Sequence, residues 1–262
     1  MRSASLFWGA VLVILGGLFL LSNLGVITVD VWGVIWPIAL ILFGVWLLWG
    51  RLFHRGERLE HAVIPLEGAT SARVRLSHGA GRLLVSGGAR ATDLAEGDFG
   101  GGLDLRTRRQ GDQIEAELRS SASGWSPWAW SPHGLEWNLR FNRQTPLALK
   151  VETGVSESIL DLSDLLVTEL DLGTGASSTE LTLPAGAGYT RAKVSGGAAS
   201  IQVRVPTGVA ASIRYSGGLA SLNVDTQRFP RSGDLYQSAD FAIAENKVEM
   251  LVEVGAASVE VR

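Results

Sequence analysis

From Ala62 onward apolar and polar residues alternate with a period of two, whereas the first fifty residues form two almost uninterrupted apolar runs. Val74 and Leu76 alternate with Arg73 and Arg75; Ile201, Val203 and Val205 alternate with Gln202 and Arg204; Val259 and Val261 flank Glu260. A period of two sends successive side chains to opposite sides of a strand, so one face of each strand is buried. The pattern predicts strands at Ala62–Leu66, Arg73–Leu76, Arg82–Val85, Leu103–Thr107 and Gln113–Arg119. The glycine-rich stretch Asp93–Gly102 breaks the alternation and reads as a loop.

A phrase recurs on this pattern: Gly196-Gly-Ala-Ala-Ser, Gly217-Gly-Leu-Ala-Ser and Gly255-Ala-Ala-Ser, with looser copies at Gly154 and Gly173. The spacing is roughly 20 residues, with a longer gap before the last copy, and such internal repetition marks stacked units. Each clear unit holds two strands. Leu181–Leu183 is followed by the turn Pro184-Ala-Gly186 and then by Tyr189–Val194; Val203–Val205, Pro206-Thr-Gly208 and Ala211–Tyr215 repeat the arrangement. Proline presets the first turn position and glycine accepts the second. Stacking such units buries a ladder of Val, Ile and Leu that one unit alone leaves exposed. The predicted fold is a membrane α-helical hairpin over residues 1–50, a juxtamembrane linker over 51–61, and an all-β repeat domain over 62–262, a single-stranded β-helix or solenoid.

The hairpin follows from length. Residues 6–27 and 32–49 are each close to the roughly 20 apolar residues that span a bilayer, and only Thr28–Val31 lie between them. Trp8, Trp32, Trp36, Trp46 and Trp49 sit where interfacial aromatic anchors are expected. Arg2 precedes the first run, Arg51, Arg55 and Arg58 follow the second, and the connecting loop has no basic residue, which places both termini in the cytoplasm by the positive-inside rule. A cleaved signal peptide is the alternative for the first run, but no Ala-x-Ala-like site follows it.

Composition narrows the chemistry. The chain has no cysteine, so disulfides, thiolate zinc sites and Cys nucleophiles are excluded. A net charge of -3 with scattered arginines gives no basic stripe for nucleic acid. None of the four histidines, His54, His61, His78 and His133, falls in a metal-binding spacing, and Asp161, Asp164 and Asp171 lack the ligand density of a calcium loop. Gly97–Gly102 and Gly173–Gly175 complete no phosphate-binding motif, and no Gly-x-Ser-x-Gly elbow is present. No cofactor or catalytic set is predicted. The anomalous segment is Ser120–Gly134, with Trp125, Trp128 and Trp130 among Ser, Gly and Pro, and Trp137 just after it. These four tryptophans are the candidates for membrane or partner contact; the structural alternative is a loop folded over the β stack.

Phe7-Trp-Gly9 through Leu15-Gly16, Leu20–Gly25, Trp32, Trp36-Pro37 and Leu42-Phe-Gly44 resemble the membrane domain of LiaF-like bacterial envelope-stress proteins. Pro146–Gly154, Leu160–Leu165, Leu170 and Gly173-Thr-Gly-Ala-Ser resemble the toastrack β domain of LiaF and of adhesin-like bacterial proteins. The resemblance implies a non-enzymatic inner-membrane accessory or sensor protein, multi-pass, whose partners are the lipid bilayer and a membrane histidine kinase or another envelope-stress protein. Two other functions are open: a self-associating scaffold or adhesin-like homo-oligomer, and a module that binds lipid or cell-wall precursors through the tryptophan-rich insert.

Overall fold

The computed structural model describes residues 36, 37, 40, 41, 44, 59–121, 135–218 and 221–262. The chain divides into two units, Met1–Gly56 and Glu57–Arg262. In the first unit the described residues are helical, and Trp36, Leu40 and Ile41 are more than half exposed. No helix among the described residues is long and apolar enough to cross a membrane. The expected spans 6–27 and 32–49 lie mostly outside the described residues, as do Trp8, Trp32, Trp46, Trp49, Arg51 and Arg55.

The described part of the second unit is β-structure joined by turns. Its N-terminal part holds β1 (Glu60–Pro65), β2 (Ser71–Gly87), β3 (Asp93–Phe99), β4 (Leu103–Gln110), β5 (Gln113–Ser120) and β6 (Glu136–Phe141). Then come β7 (Leu147–Asp161), β8 (Val167–Thr174), β9 (Ser178–Thr182), β10 (Tyr189–Gly196), β11 (Ser200–Arg204), β12 (Ala210–Gly217) and β13 (Ser221–Val224). The last are β14 (Arg231–Ser232), β15 (Leu235–Gln237), β16 (Lys247–Val254) and β17 (Ser258–Val261).

These strands stack as rungs, each made of two segments that meet at a corner. In β2 and β7 one long strand supplies both segments; in β8/β9, β10/β11, β12/β13 and β16/β17 the corner separates two strands. First segments pair in parallel in the order β5, β2, β7, β8, β10, β16, β12. Second segments follow the same order: β6, β2, β7, β9, β11, β17, β13. Antiparallel strands close the ends: β4 on β5, β3 and then β1 on β6, and β15 and β14 on β12. Such strands shield parallel edges from further pairing. The alternation read from the sequence is the alternation of burial: Val74 and Leu76 in β2, Val151 in β7, Leu172 in β8, Val194 in β10 and Val252 in β16 all enter one core.

Two expectations are corrected. Asp93–Gly102 is not a loop along its length, because Asp93–Phe99 forms a mostly buried strand between β1 and β6. The glycine that suggested a loop, Gly97, is there for close approach: a Cβ would lie 2.5 Å from the Asn138 carbonyl oxygen of β6. The second correction concerns order. A simple solenoid stacks its units as they occur in the chain, yet the last unit, β16/β17, lies between β10/β11 and β12/β13. The longer sequence gap before Gly255 is the connection that lets it return.

The recurring phrase marks the corner. Its glycines, 79, 154, 175, 197, 255 and 218 in rung order, form one column, set by the pairings of the residues flanking them. Backbone hydrogen bonds run through the corner, from Gly175 N to Thr153 O (2.9 Å), Ala176 N to Gly154 O (3.1 Å), Gly197 N to Thr174 O (3.0 Å) and Gly255 N to Gly196 O (2.9 Å). A Cβ at Gly154 would lie 2.3 Å from the Gly79 carbonyl oxygen, and one at Gly175 would lie 2.7 Å from that of Gly154. These positions need glycine because the rungs touch there, not because the backbone adopts a left-handed conformation. After the corner, Ala199 and Ala257 point inward, whereas Ser178, Ser200, Ser258 and Ser221 form an exposed row across β9, β11, β17 and β13.

Candidate functional site

In the chain the tryptophan-rich segment lies between the end of β5 and Leu135, just before β6. Trp125, Trp128 and Trp130 lie outside the described residues. Trp137 does not belong with them. It occupies the first inward position of β6, is fully buried, donates from Nε1 to the Gly100 carbonyl (3.1 Å), and packs edge-on against Phe99 with ring centroids 4.9 Å apart. Its assignment as a membrane or partner contact is therefore replaced by a core role. A buried indole requires a partner for its N–H, and Gly100 at the end of β3 supplies it. The period-two pattern Trp137, Leu139, Phe141 carried that signal in the sequence.

Between β5 and β6 the corner of this rung falls outside the described residues. β5 follows β2 as far as Arg119 opposite Ser77, and pairing resumes with Glu136 opposite Arg82. Among the described residues nothing lies within 4 Å of a Cβ placed on Gly79. A cavity of about 570 Å³ opens there, lined by His78, Gly79, Arg119, Leu135, Thr153 and Gly154 among others. His78 is buried, and its Nε2 lies 3.0 Å from the Leu135 carbonyl oxygen, which can only accept. The tautomer is thus Nε2–H, leaving Nδ1 as an acceptor with no partner among the described residues. The Oγ1 of Thr153, opposite His78 on β7, is also unpartnered. Burial lowers the His78 pKa below its ordinary value, partly opposed by the bond to Leu135, so the ring is neutral at pH 7.

The outer face of the first segments is charged, with both signs interleaved. Arg73 pairs with Glu115 (3.9 Å), Arg75 with Glu117 (3.8 Å), Lys150 with Asp171 (3.3 Å) and Glu152 (3.1 Å), and Lys193 with Glu253 (2.7 Å). Carboxylate neighbours raise the Lys150 and Lys193 pKa values, and the Arg119 guanidinium lowers that of Glu117. These pairs are exposed and contribute little stability each; their effect is on solubility and strand register. A shallow cavity of about 650 Å³ on this face has Arg73, Arg75, Arg106, Arg108 and Lys150 on its walls beside Glu115, Glu117, Glu169 and Asp171. The two signs are nearly balanced on these walls.

The remaining polar candidates have structural partners. Asp161 accepts from Ser163 N (3.1 Å) and Oγ (2.7 Å) in a turn, Asp164 pairs with Arg143 (3.3 Å), and His61 bonds Asp98 (2.9 Å). His54 and His133 lie outside the described residues. Among the described residues no three His, Cys, Asp or Glu side chains converge as metal ligands do. The arrangement supports binding and contact.

Comparison with known proteins agrees with this geometry. Residues 55–204 match the N-terminal domain of toast_rack, DUF2154, and residues 6–48 match the LiaI-LiaF-like transmembrane region. No curated protein matches the chain. A candidate cell adhesion protein from Clostridium sporogenes, solved by crystallography, shares the fold with a TM-score of 0.72 and 21% identity, over 79% of this chain and 99% of that one. A candidate adhesin from Bacteroides fragilis matches over 79% of this chain and 98% of that one, at 7% identity and a TM-score of 0.31, too low to carry an argument. The first comparison bears on fold alone. With more than half its length matched, the chain belongs to the toast_rack family, its β domain preceded by a LiaI-LiaF-like transmembrane region.

Proposed function

We infer that this protein is a non-enzymatic accessory or sensor of the bacterial envelope, held at the membrane by residues 1–50 and acting through protein contacts of its β domain. The observation that carries this reading is the succession of a LiaI-LiaF-like transmembrane region at 6–48 and a toast_rack domain at 55–204. The β domain supports it by using its distinctive residues for architecture: corner glycines for rung contact, inward aliphatics for the core, and outward charges for one another. The proposed partner is a membrane histidine kinase or another envelope-stress protein. Trp125, Trp128 and Trp130 are the proposed contact residues on the β domain.

We also infer the topology, a two-helix hairpin with both termini in the cytoplasm, from Arg2, Arg51 and Arg55. Compartment-sensitive reporters fused after Arg262 test it: the reporter active only in the cytoplasm signals, and the one active only outside stays silent. The opposite pattern overturns the topology. The function is tested in cells deleted for the chain, by following transcription from a cell-wall-stress promoter as a wall-active antibiotic is added. Deletion is expected to change the response at least severalfold, in either direction, and the full chain to restore it. An unchanged response overturns the envelope-stress reading.

A further inference from the structure

The place of β16/β17 in the stack suggests how copies of the chain associate. β10 and β12 present the same register to β16: Tyr189 and Ala210 both lie opposite Lys247, and Gly196 and Gly217 both lie opposite Val254. On the other side of the corner, Ile201 and Leu222 both lie opposite Val259. Thus β10/β11 and β12/β13 are the two walls of a slot one rung wide. The slot is filled by residues that come later in the chain than either wall.

The filling segment is bound on both sides and buried. Val248, Met250, Val252, Val259 and Val261 all enter the core, while the backbone bonds of Gly255, Ala256, Ser258 and Arg262 go to β10, β11 and the corner between them. An empty slot exposes this apolar surface and leaves both walls unpaired. It therefore demands an occupant with this segment's alternation and its corner glycine.

The connection to that occupant is built in two parts. Residues 225–238 stay with the β12/β13 wall and the turn before it: Arg228 donates to the carbonyls of Val205 (2.7 Å) and Pro206 (3.0 Å), Phe229 is fully buried, and Ser238 exchanges hydrogen bonds with Ala211 (2.9 Å each). Residues 239–246 differ. They contain no strand, Ile243 is 88% exposed, the amides of Ile243 and Ala244 bond to the Asp240 carbonyl within the segment, and its ends reach outside it, Phe241 N to Ser238 O and Asn246 to the amides of Ala210 and Gly188. Extended, eight residues reach about 26 Å at roughly 3.3 Å per residue, several rung spacings of about 4.8 Å.

We propose that residues 239–246 are a hinge, and that residues 247–261 of a second copy occupy the slot in a reciprocal strand-swapped dimer. The bonds in the slot are the same whether it is filled from the same copy or from its partner, so local concentration decides between them. Anchoring at a membrane raises that concentration. The proposal is independent of the envelope-stress reading, because it concerns assembly alone.

The test uses the absence of cysteine from the natural chain. Ser195 and Glu253 are register neighbours on β10 and β16, with side chains on the outer face. Adjacent strands bring such positions within disulfide reach. Two full-length copies, one carrying Ser195→Cys and the other Glu253→Cys, are produced together in one membrane and oxidised, and dimers are counted on a denaturing gel. Glu249→Cys in place of Glu253→Cys is the register control, since Glu249 lies opposite Arg191. The expected result is a covalent dimer with Glu253→Cys at least fivefold more abundant than with Glu249→Cys. Two results overturn the proposal. One is the absence of intermolecular product while Ser195→Cys/Glu253→Cys in one chain closes internally; the other is equal yields from positions 253 and 249, which reports collision rather than insertion.

Discussion

Replacing the corner glycines one at a time by alanine should give a graded series of stabilities that follows rung contact. At Gly154 the new methyl lies 2.3 Å from the Gly79 carbonyl oxygen, and at Gly175 it lies 2.7 Å from that of Gly154. Comfortable contact begins near 3.4 Å, so the rungs must separate by 1.1 Å and 0.7 Å respectively (3.4 - 2.3 and 3.4 - 2.7). The obstacle in each case is backbone, which cannot rotate aside. At Gly175 the shift also stretches the 3.1 Å bond from Ala176 N to Gly154 O past useful length. Overpacking of this kind costs about 1–3 kcal/mol, and the lost bond adds about 1 kcal/mol. The reduced freedom of the unfolded chain returns about 0.4–1 kcal/mol, since none of these glycines has a positive φ. The net loss is about 1–3.6 kcal/mol, or about 2–14 °C in Tm for a domain of this size. Gly197 and Gly255, with contacts of 3.3 and 3.2 Å, should fall between. Gly218 at 3.6 Å and Gly79 with open space should be neutral or stabilised by up to about 1 kcal/mol. The assay is thermal unfolding of the full chain in detergent, followed by far-UV circular dichroism. Equal Tm values for Gly154→Ala and Gly79→Ala, or the reverse order, refute the reasoning.

Three further outcomes are expected. His78 has a lowered pKa in the fold, so the unfolded chain binds more protons as pH falls below about 6.5. Stability present above that pH should therefore decline as pH falls through the folded value, and His78→Gln should flatten the dependence between pH 7 and 5 in denaturant titrations; an unaltered profile contradicts the assignment. Trp137→Ala should cost about 3–5 kcal/mol as a core truncation, read as loss of near-ultraviolet dichroism and a lower Tm, and a fully stable variant contradicts the core role. Replacing Trp125, Trp128 and Trp130 together by Ser should leave Tm within about 2 °C while abolishing any fluorescence change on adding anionic vesicles or a cell-wall precursor. A retained change removes these residues from the contact.

Much of the β domain was legible because burial and alternation are local signals. Val74, Leu76, Ile201, Val203, Val259 and Val261 face inward as their period requires. The repeated Gly-x-Ala-Ser phrase correctly marked close backbone approach. Glycine was also the source of error, because Gly97 permits close packing within a strand while Gly101 and Gly102 provide the positive φ of a turn, and composition does not separate these uses. The insertion of β16/β17 was illegible for another reason: units of nearly identical sequence fit one another in several orders, and the choice depends on residues 225–246, which resemble no unit. For the candidate site, Trp137 could be separated from its neighbours by its period with Leu139 and Phe141, whereas the burial of His78 Nδ1 and Thr153 Oγ1 without partners among the described residues is a tertiary fact with no motif.

The central proposal is that the β domain acts from the membrane surface through protein contacts. Cells deleted for the chain, carrying the cell-wall-stress reporter, are given either the full chain or a version lacking residues 2–50, at matched levels and with folding of the shortened form verified by its Tm. The full chain should restore the response and the unanchored β domain should leave it at the deletion level. Equal restoration by both forms contradicts the account.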